Sequence, residues 1–132
     1  MSPAEAVWLT RTLPERPDAL APDGSEIRLL VQVAGGSMVH CTLPPGGVTR
    51  GVRHRTVEEV WFFLGGTGQL WRKSGAREEI VDVGPGLALT IPLGTDFQFR
   101  TVGDEPLTFV ITTMPPWPGN AEAVEVPGVW PT

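Results

Sequence analysis

Apolar and polar residues alternate along most of the chain in short runs. Ile27, Leu29, Val31 and Val33 alternate with partly polar neighbours, the period-two pattern of a half-buried strand. A turn at Ala34-Gly35-Gly36-Ser37 leads into a second strand over Met38–Leu43. Further strand-like runs follow at Val48–Arg53, Glu58–Leu64, Gly68–Lys73, Glu78–Val83, Leu87–Ile91, Phe97–Val102 and Leu107–Thr113. Gly- and Pro-rich turns separate them, as at Gly65-Gly66-Thr67, Gly84-Pro85-Gly86 and Pro92-Leu93-Gly94-Thr95. Short strands at this spacing predict an all-β sandwich or small barrel. No helical pattern of useful length follows residue 8. At the start, Ser2-Pro3-Ala4-Glu5 reads as a capping box with proline at the first helical position, so one helical turn is predicted there. Residues 14–25 read as loop.

The 132 residues predict a single domain spanning 1–132. Its parts are an N-terminal arm (1–26), a core (about 38–113) and a Pro-rich C-terminal strap (114–132). Nearly a quarter of the chain is Gly or Pro (16 and 14 residues). Five Trp and five Phe argue against disorder, so these residues are turn punctuation. The formal net charge of −5 argues against nucleic acid or an anionic membrane as partner, because phosphate neutralisation needs a dominant Lys/Arg face. The single Cys41 cannot form an internal disulfide or a Cys-rich zinc site; it reads as a small buried hydrophobe. No run approaches a membrane span and no signal peptide is evident, so a cytoplasmic location is expected.

Two spaced motifs carry more information. Gly46, five residues, Val52, Arg53, His54, four residues, Glu59, six residues and Gly66 reproduce the spacing G-x5-H-x-H-x3/4-E-x6-G. Gly86, Pro92, Gly94, Phe97 and Thr101 fall at the intervals of G-x5-P-x-G-x2-H-x3-N. On these motifs the chain resembles the cupin superfamily, of the small single-domain type, over roughly residues 38–113. The resemblance implies a jelly roll, the double-stranded β-helix barrel.

In cupins the two histidines and the glutamate of the first motif, with the histidine of the second, bind one metal. That metal is usually iron or manganese and sometimes zinc or nickel. The aligned residues here are Val52, His54, Glu59 and Phe97, so two of the four positions offer no lone pair. One divalent transition metal (Fe, Mn, Zn or Ni) then requires a rebuilt ligand set drawn from His54, Glu59, His40, Asp96 and Gln98. Strand alternation turns Asp96 and Gln98 away if Phe97 faces the barrel, and a β-bulge near Gly94-Thr95-Asp96 would turn one of them inward. Without metal, His54 is a buried histidine hydrogen-bonded to Glu59, and His40 a structural one. Glu58 shares the parity of His54 along a straight strand, whereas Glu59 fits the motif spacing if a turn intervenes at Thr56-Val57.

Trp61 and Phe63 share one strand face; Val60, Phe62 and Leu64 share the other. A strand apolar on both sides is covered on both sides, so a homodimer through the outer face is expected. Trp61, Phe63, Phe97, Phe99 and Trp71 would line an aromatic interior suited to an apolar or planar small molecule. Arg50, Arg53 and Arg55 cluster beside His54, where they could attract an anionic substrate group; with Val52 and His54 inward, Arg53 and Arg55 point outward and read instead as a solvated face. The strap, with Trp117 and Trp130, reads as cover for core edges.

Three functional readings follow. The first is a small-molecule-binding module with a pocket formed by His54, Glu59, Val52, Trp61, Phe63, Phe97, Phe99 and His40, and with His54 and Glu59 as anchors. The second is a metal-dependent enzyme of the cupin dioxygenase, decarboxylase or isomerase type. The third is metal-free acid–base catalysis like that of cupin-like sugar epimerases, with His54 as base and Glu59 as its orienter. The chain has no tyrosine to serve as the opposing acid.

Overall fold

The computed structural model describes residues 6–132, so the helical turn expected at Ser2–Glu5 lies outside the described residues. Eleven strands are described: β1 (Ala19–Leu20), β2 (Glu26–Val33), β3 (Gly36–Leu43), β4 (Val52–His54), β5 (Glu58–Gly65), β6 (Gly68–Ser74), β7 (Arg77–Val83), β8 (Ala88–Ile91), β9 (Asp96–Thr101), β10 (Leu107–Met114) and β11 (Ala123–Glu125). They form a six-stranded sheet of order β1-β2-β3-β10-β5-β8 and a five-stranded sheet of order β11-β4-β9-β6-β7. Every pairing is antiparallel. The expected jelly roll is the architecture found.

Period-two burial organises the core. Along β5, Glu59, Trp61 and Phe63 are buried while Glu58, Val60, Phe62 and Leu64 are exposed. β10 does the same with Leu107, Phe109, Ile111 and Thr113. The inward residues of both sheets interdigitate around Trp61, which stacks on Phe109 (centroids 4.7 Å apart) and meets Phe97 and Phe99 edge-on at 5.5 and 5.4 Å. Turn chemistry sets the joints. Gly66 has φ of +73°, and a side chain there would strike the Pro106 carbonyl. The two-residue turn Gly75-Ala76 closes the β6–β7 hairpin.

Four local expectations are corrected. Val48–Arg53 forms a strand only from Val52; Val48 makes an isolated bridge to Arg100. The preceding stretch runs beneath the strap, where Gly51 lies against Val126 and Gly128 too closely for a Cβ. The loop over 14–25 contains β1, and the strap contains a 3-10 turn (Asn120–Glu122) and the edge strand β11. Trp71 is buried but not interior: it alternates with the core residue Leu70, faces outward and donates Nε1–H to Glu78 at 2.7 Å.

The strap is held by its backbone. Gln98, fully buried on the outer side of β9, donates Nε2–H to the Thr49 and Trp130 carbonyls, both at 2.8 Å. Its Oε1 accepts from the Val129 and Trp130 amides at 2.8 and 3.0 Å. The Arg100 guanidinium lies 4.5 Å over the Trp130 ring. No helix among the described residues is long and apolar enough to cross a membrane.

Candidate functional site

A cavity of about 660 Å³ opens between the sheets. Val52, His54, Trp61, Phe97 and Ile111 contribute walls from β4, β5, β9 and β10. Further walls come from loop residues Pro22, Asp23 and Ser25, from Leu9 of the arm, and from Trp117, Asn120 and Ala123 of the strap.

His54 and Glu59 are five positions apart, so on one straight strand they would face opposite ways. The chain bends at Arg55-Thr56 between β4 and β5, and both side chains point inward, with Glu58 left exposed. Glu122 pins that bend. Its carboxylate accepts the Thr56 amide, the Thr56 hydroxyl at 2.8 Å and the Val57 amide at 2.9 Å. Burial alone would raise the Glu122 carboxyl, but these donors outweigh it and hold the group below its ordinary range.

Glu59 is 5% exposed. Its Oε1 accepts the Trp61 indole N–H at 3.0 Å and its Oε2 accepts the Thr113 hydroxyl at 2.7 Å. Burial pushes its pKa up to about 7, against the pull of those two donors. His54 is 7% exposed and edge-on to Phe97 (5.2 Å) and Trp117 (5.1 Å). Burial lowers its pKa to about 4, so at neutral pH the ring is uncharged. The expected His54–Glu59 hydrogen bond is absent: Nδ1 and Oε1 are 3.9 Å apart, and Nδ1 is buried without a partner. The ring is wedged between two aromatic neighbours, which hold it at that distance.

The other sequence candidates fall elsewhere. Phe63 and Phe99 are fully buried core residues in contact with Trp61 and do not reach the cavity. His40 alternates on β3 with Val39 and Cys41, which face inward, so it lies on the opposite side of the sheet from His54. Asp96 and Gln98 keep the outward parity of an unbroken strand: β9 pairs with both β4 and β6 without a bulge. Asp96 is bound to Arg53, as a solvated Arg53 requires, and Gln98 holds the strap. The rebuilt metal set is therefore not assembled.

At the family's four ligand positions the donor set is His54 and Glu59 only; the buried Val52 and Phe97, paired across β4 and β9, complete the ring with carbon. Among the described residues no cluster of three or more His, Cys, Asp or Glu could hold a metal ion. Two donors do not fit a transition metal.

Asp23, Thr113 and Glu122 carry no sequence signal of their own, and Trp117, expected as cover for a core edge, lines the cavity. Asp23 and Glu122 come from loop and strap, where no period exists to read.

The sequence matches a family model described as "Cupin domain" over residues 39–113. No curated protein matches it. Among solved structures, the chain is similar to the cupin domain of Cnp3 from Schizosaccharomyces pombe, with 11% identity over 69% of this chain and 64% of that one and a TM-score of 0.62. It is similar to oxalate decarboxylase from Bacillus subtilis, a protein with Mn(II) centers, with 14% identity, coverage of 85% and 30% and a TM-score of 0.70. An uncharacterized conserved protein with a double-stranded β-helix domain from Klebsiella pneumoniae shares 16% identity over 90% and 91% of the two chains, with a TM-score of 0.65. The chain thus spans under two thirds of the Cnp3 domain and under one third of the decarboxylase. At these identities the likeness is one of fold.

Proposed function

The chain belongs to the cupin domain family, and we propose that it binds a small organic molecule in the barrel cavity through Glu59 and His54, without a metal ion. One observation carries this reading. A preformed cavity of about 660 Å³ is walled mainly by apolar and aromatic side chains, with a protonatable carboxyl and an uncharged imidazole at its inner end. That volume and that ratio of apolar wall to polar anchor are typical of small-molecule sites. The metal-dependent reading loses its support because two ligand positions are carbon and no outward residue replaces them.

The test is a calorimetric screen of small organic compounds against wild type and Ile111→Trp, which fills the cavity from β10. Compounds that bind wild type and not Ile111→Trp occupy the cavity. Unchanged affinity in His54→Ala/Glu59→Ala would remove those two residues as anchors.

A second reading is favoured by the Glu59 carboxyl lying near 7. A group that titrates near neutrality both gives and takes a proton efficiently, so acid–base catalysis would run through Glu59, with His54 as a neutral hydrogen-bonding partner. A turnover whose pH profile keeps its inflection near 7 in Glu59→Gln would exclude it.

We also propose a second copy of the chain as the cover for the outer face of β5. Val60, Phe62 and Leu64 form an exposed apolar row within the six-stranded sheet, a face suited to isologous pairing.

A further inference from the structure

Every charged side chain that lines the cavity is acidic. Asp23 and Glu59 face it from the β1–β2 loop and from β5, and no Lys or Arg lines it among the described residues. Arg50, from the β3–β4 connection, donates to the Pro22 and Asp23 carbonyls and pulls the Asp23 carboxyl down against the larger effect of burial, but it is not part of the wall. Both hydrogen bonds to Asp23, from the Ser25 amide and hydroxyl, fall on Oδ1.

A second, independent feature is the state of His54. The side chain is more than nine-tenths buried and lines the cavity, yet among the described residues its Nδ1 is buried without a hydrogen-bond partner. Buried polar groups are nearly always partnered, and each exception calls for an explanation such as strain, a catalytic role or a partner from outside the chain. Opposite it, the Glu59 oxygens accept one bond each and retain lone pairs for further donors. The inner end of the cavity is therefore rich in acceptors and short of donors. Around it stand the rings of Trp61, Phe97 and Trp117, an aromatic wall of the kind that accommodates cations.

We propose that the cavity takes an organic ammonium ion: a protonated amine on an apolar, ring-sized body, its N–H groups donated to Glu59 and His54 and its body seated among Trp61, Phe97 and Trp117. The inference rests on the pocket reading above and narrows it to a ligand class. The ammonium supplies donors and positive charge where the chain supplies acceptors and negative charge. A carboxylate or phosphate ligand would meet Asp23 and Glu59 with no Lys or Arg among the described lining residues to pair with it. The upward push on both carboxyls, from burial first, marks the same unfilled need for a counter-charge.

The test is calorimetric titration at pH 8 with three probes of one shape: 2-phenylethylammonium, neutral 2-phenylethanol and anionic 3-phenylpropanoate. The expected result is that the ammonium binds at least about tenfold more tightly than either other probe, as charge-assisted and cation–π contacts predict. Glu59→Gln and Asp23→Asn should each shrink that preference, and Ile111→Trp should abolish binding. If the alcohol or the carboxylate binds as tightly as the ammonium, the ligand class is wrong and the pocket reading survives. If no probe binds, both fail. A preference that persists undiminished in Glu59→Gln and Asp23→Asn, or binding that persists in Ile111→Trp, places the ammonium outside the cavity and overturns the proposal.

Discussion

Replacing Glu59 by glutamine should make the protein more stable in alkaline solution while changing little in acid. Below about pH 4.5 the carboxyl is protonated in the folded and unfolded chains alike, so its burial carries no ionisation cost. As pH rises toward 7 the unfolded chain loses the proton and the folded chain keeps it, because its pKa lies near 7. Each unit of that gap is worth about 1.4 kcal/mol, so stability falls by about 3 kcal/mol across the window and stays down above it. His54 works the other way. Its folded pKa near 4 means that stability is full above 6.5 and falls by about 3 kcal/mol as pH drops to 4.

Between pH 4.5 and 6.5 these two contributions oppose and nearly cancel. Glu59→Gln unmasks the histidine slope: its stability should climb from pH 4 to 6.5 and at pH 8 exceed wild type by up to about 3 kcal/mol. The amide can accept from the Trp61 indole and donate to the Thr113 hydroxyl, so both neighbours stay partnered. His54, Trp61, Thr113 and the more distant Asp23 face Glu59, and all four are unchanged in the variant. The assay is urea unfolding followed by tryptophan fluorescence at half-unit steps from pH 4 to 8. Parallel curves for wild type and variant, or a variant less stable at pH 8 than at pH 5, would refute the reasoning.

Four further outcomes are expected. Glu122→Gln, which weakens charge-assisted bonds to the Thr56–Val57 bend, should cost about 1–3 kcal/mol and reduce cavity ligand affinity, measured by unfolding and calorimetry on the same preparation. Gln98→Ala leaves the Thr49 carbonyl and two strap amides without partners, so it should cost a similar 1–3 kcal/mol and make residues 126–132 the first site of limited proteolysis. Wild type prepared without a nickel column should hold substoichiometric Fe, Mn, Zn and Ni by elemental analysis, and EDTA should leave its Tm unchanged; one equivalent of tightly held metal would contradict the donor argument. Phe62→Lys should convert a dimer to monomer by light scattering, and a wild type that is already monomeric at micromolar concentration would end the proposal of a second copy on β5.

The fold was readable because the glycines and prolines that separate the strands are themselves the motif. Gly66 must be glycine for reasons of backbone conformation and close approach, so its place in a spacing pattern reports structure directly. The site was readable only in part. His54 and Glu59 stand at motif positions, but the choice of Glu59 over Glu58 depends on a bend held by Glu122, 63 residues further on in a strap with no periodicity. Asp96 and Gln98 were open candidates because alternation cannot exclude a bulge; only the continuous pairing of β9 does. Trp71 misled because an aromatic beside leucine on a strand looks equally interior, whereas its indole N–H had a surface glutamate to reach.

β5 can bury itself in two ways. Slipped by one residue, it would present Val60, Phe62 and Leu64 to the core and send Trp61 and Phe63 outward, with Glu58 in place of Glu59. Both arrangements hide a comparable quantity of hydrocarbon, so hydrophobicity leaves the strand nearly indifferent to its own registration. The decision falls to the short bend before it and to the glutamate reaching back from the far end of the chain. Residues remote from the ligand thus arbitrate between a working barrel and its mispaired twin, and a one-residue insertion or deletion at Arg55–Val57 would be a change of pocket chemistry rather than of loop length.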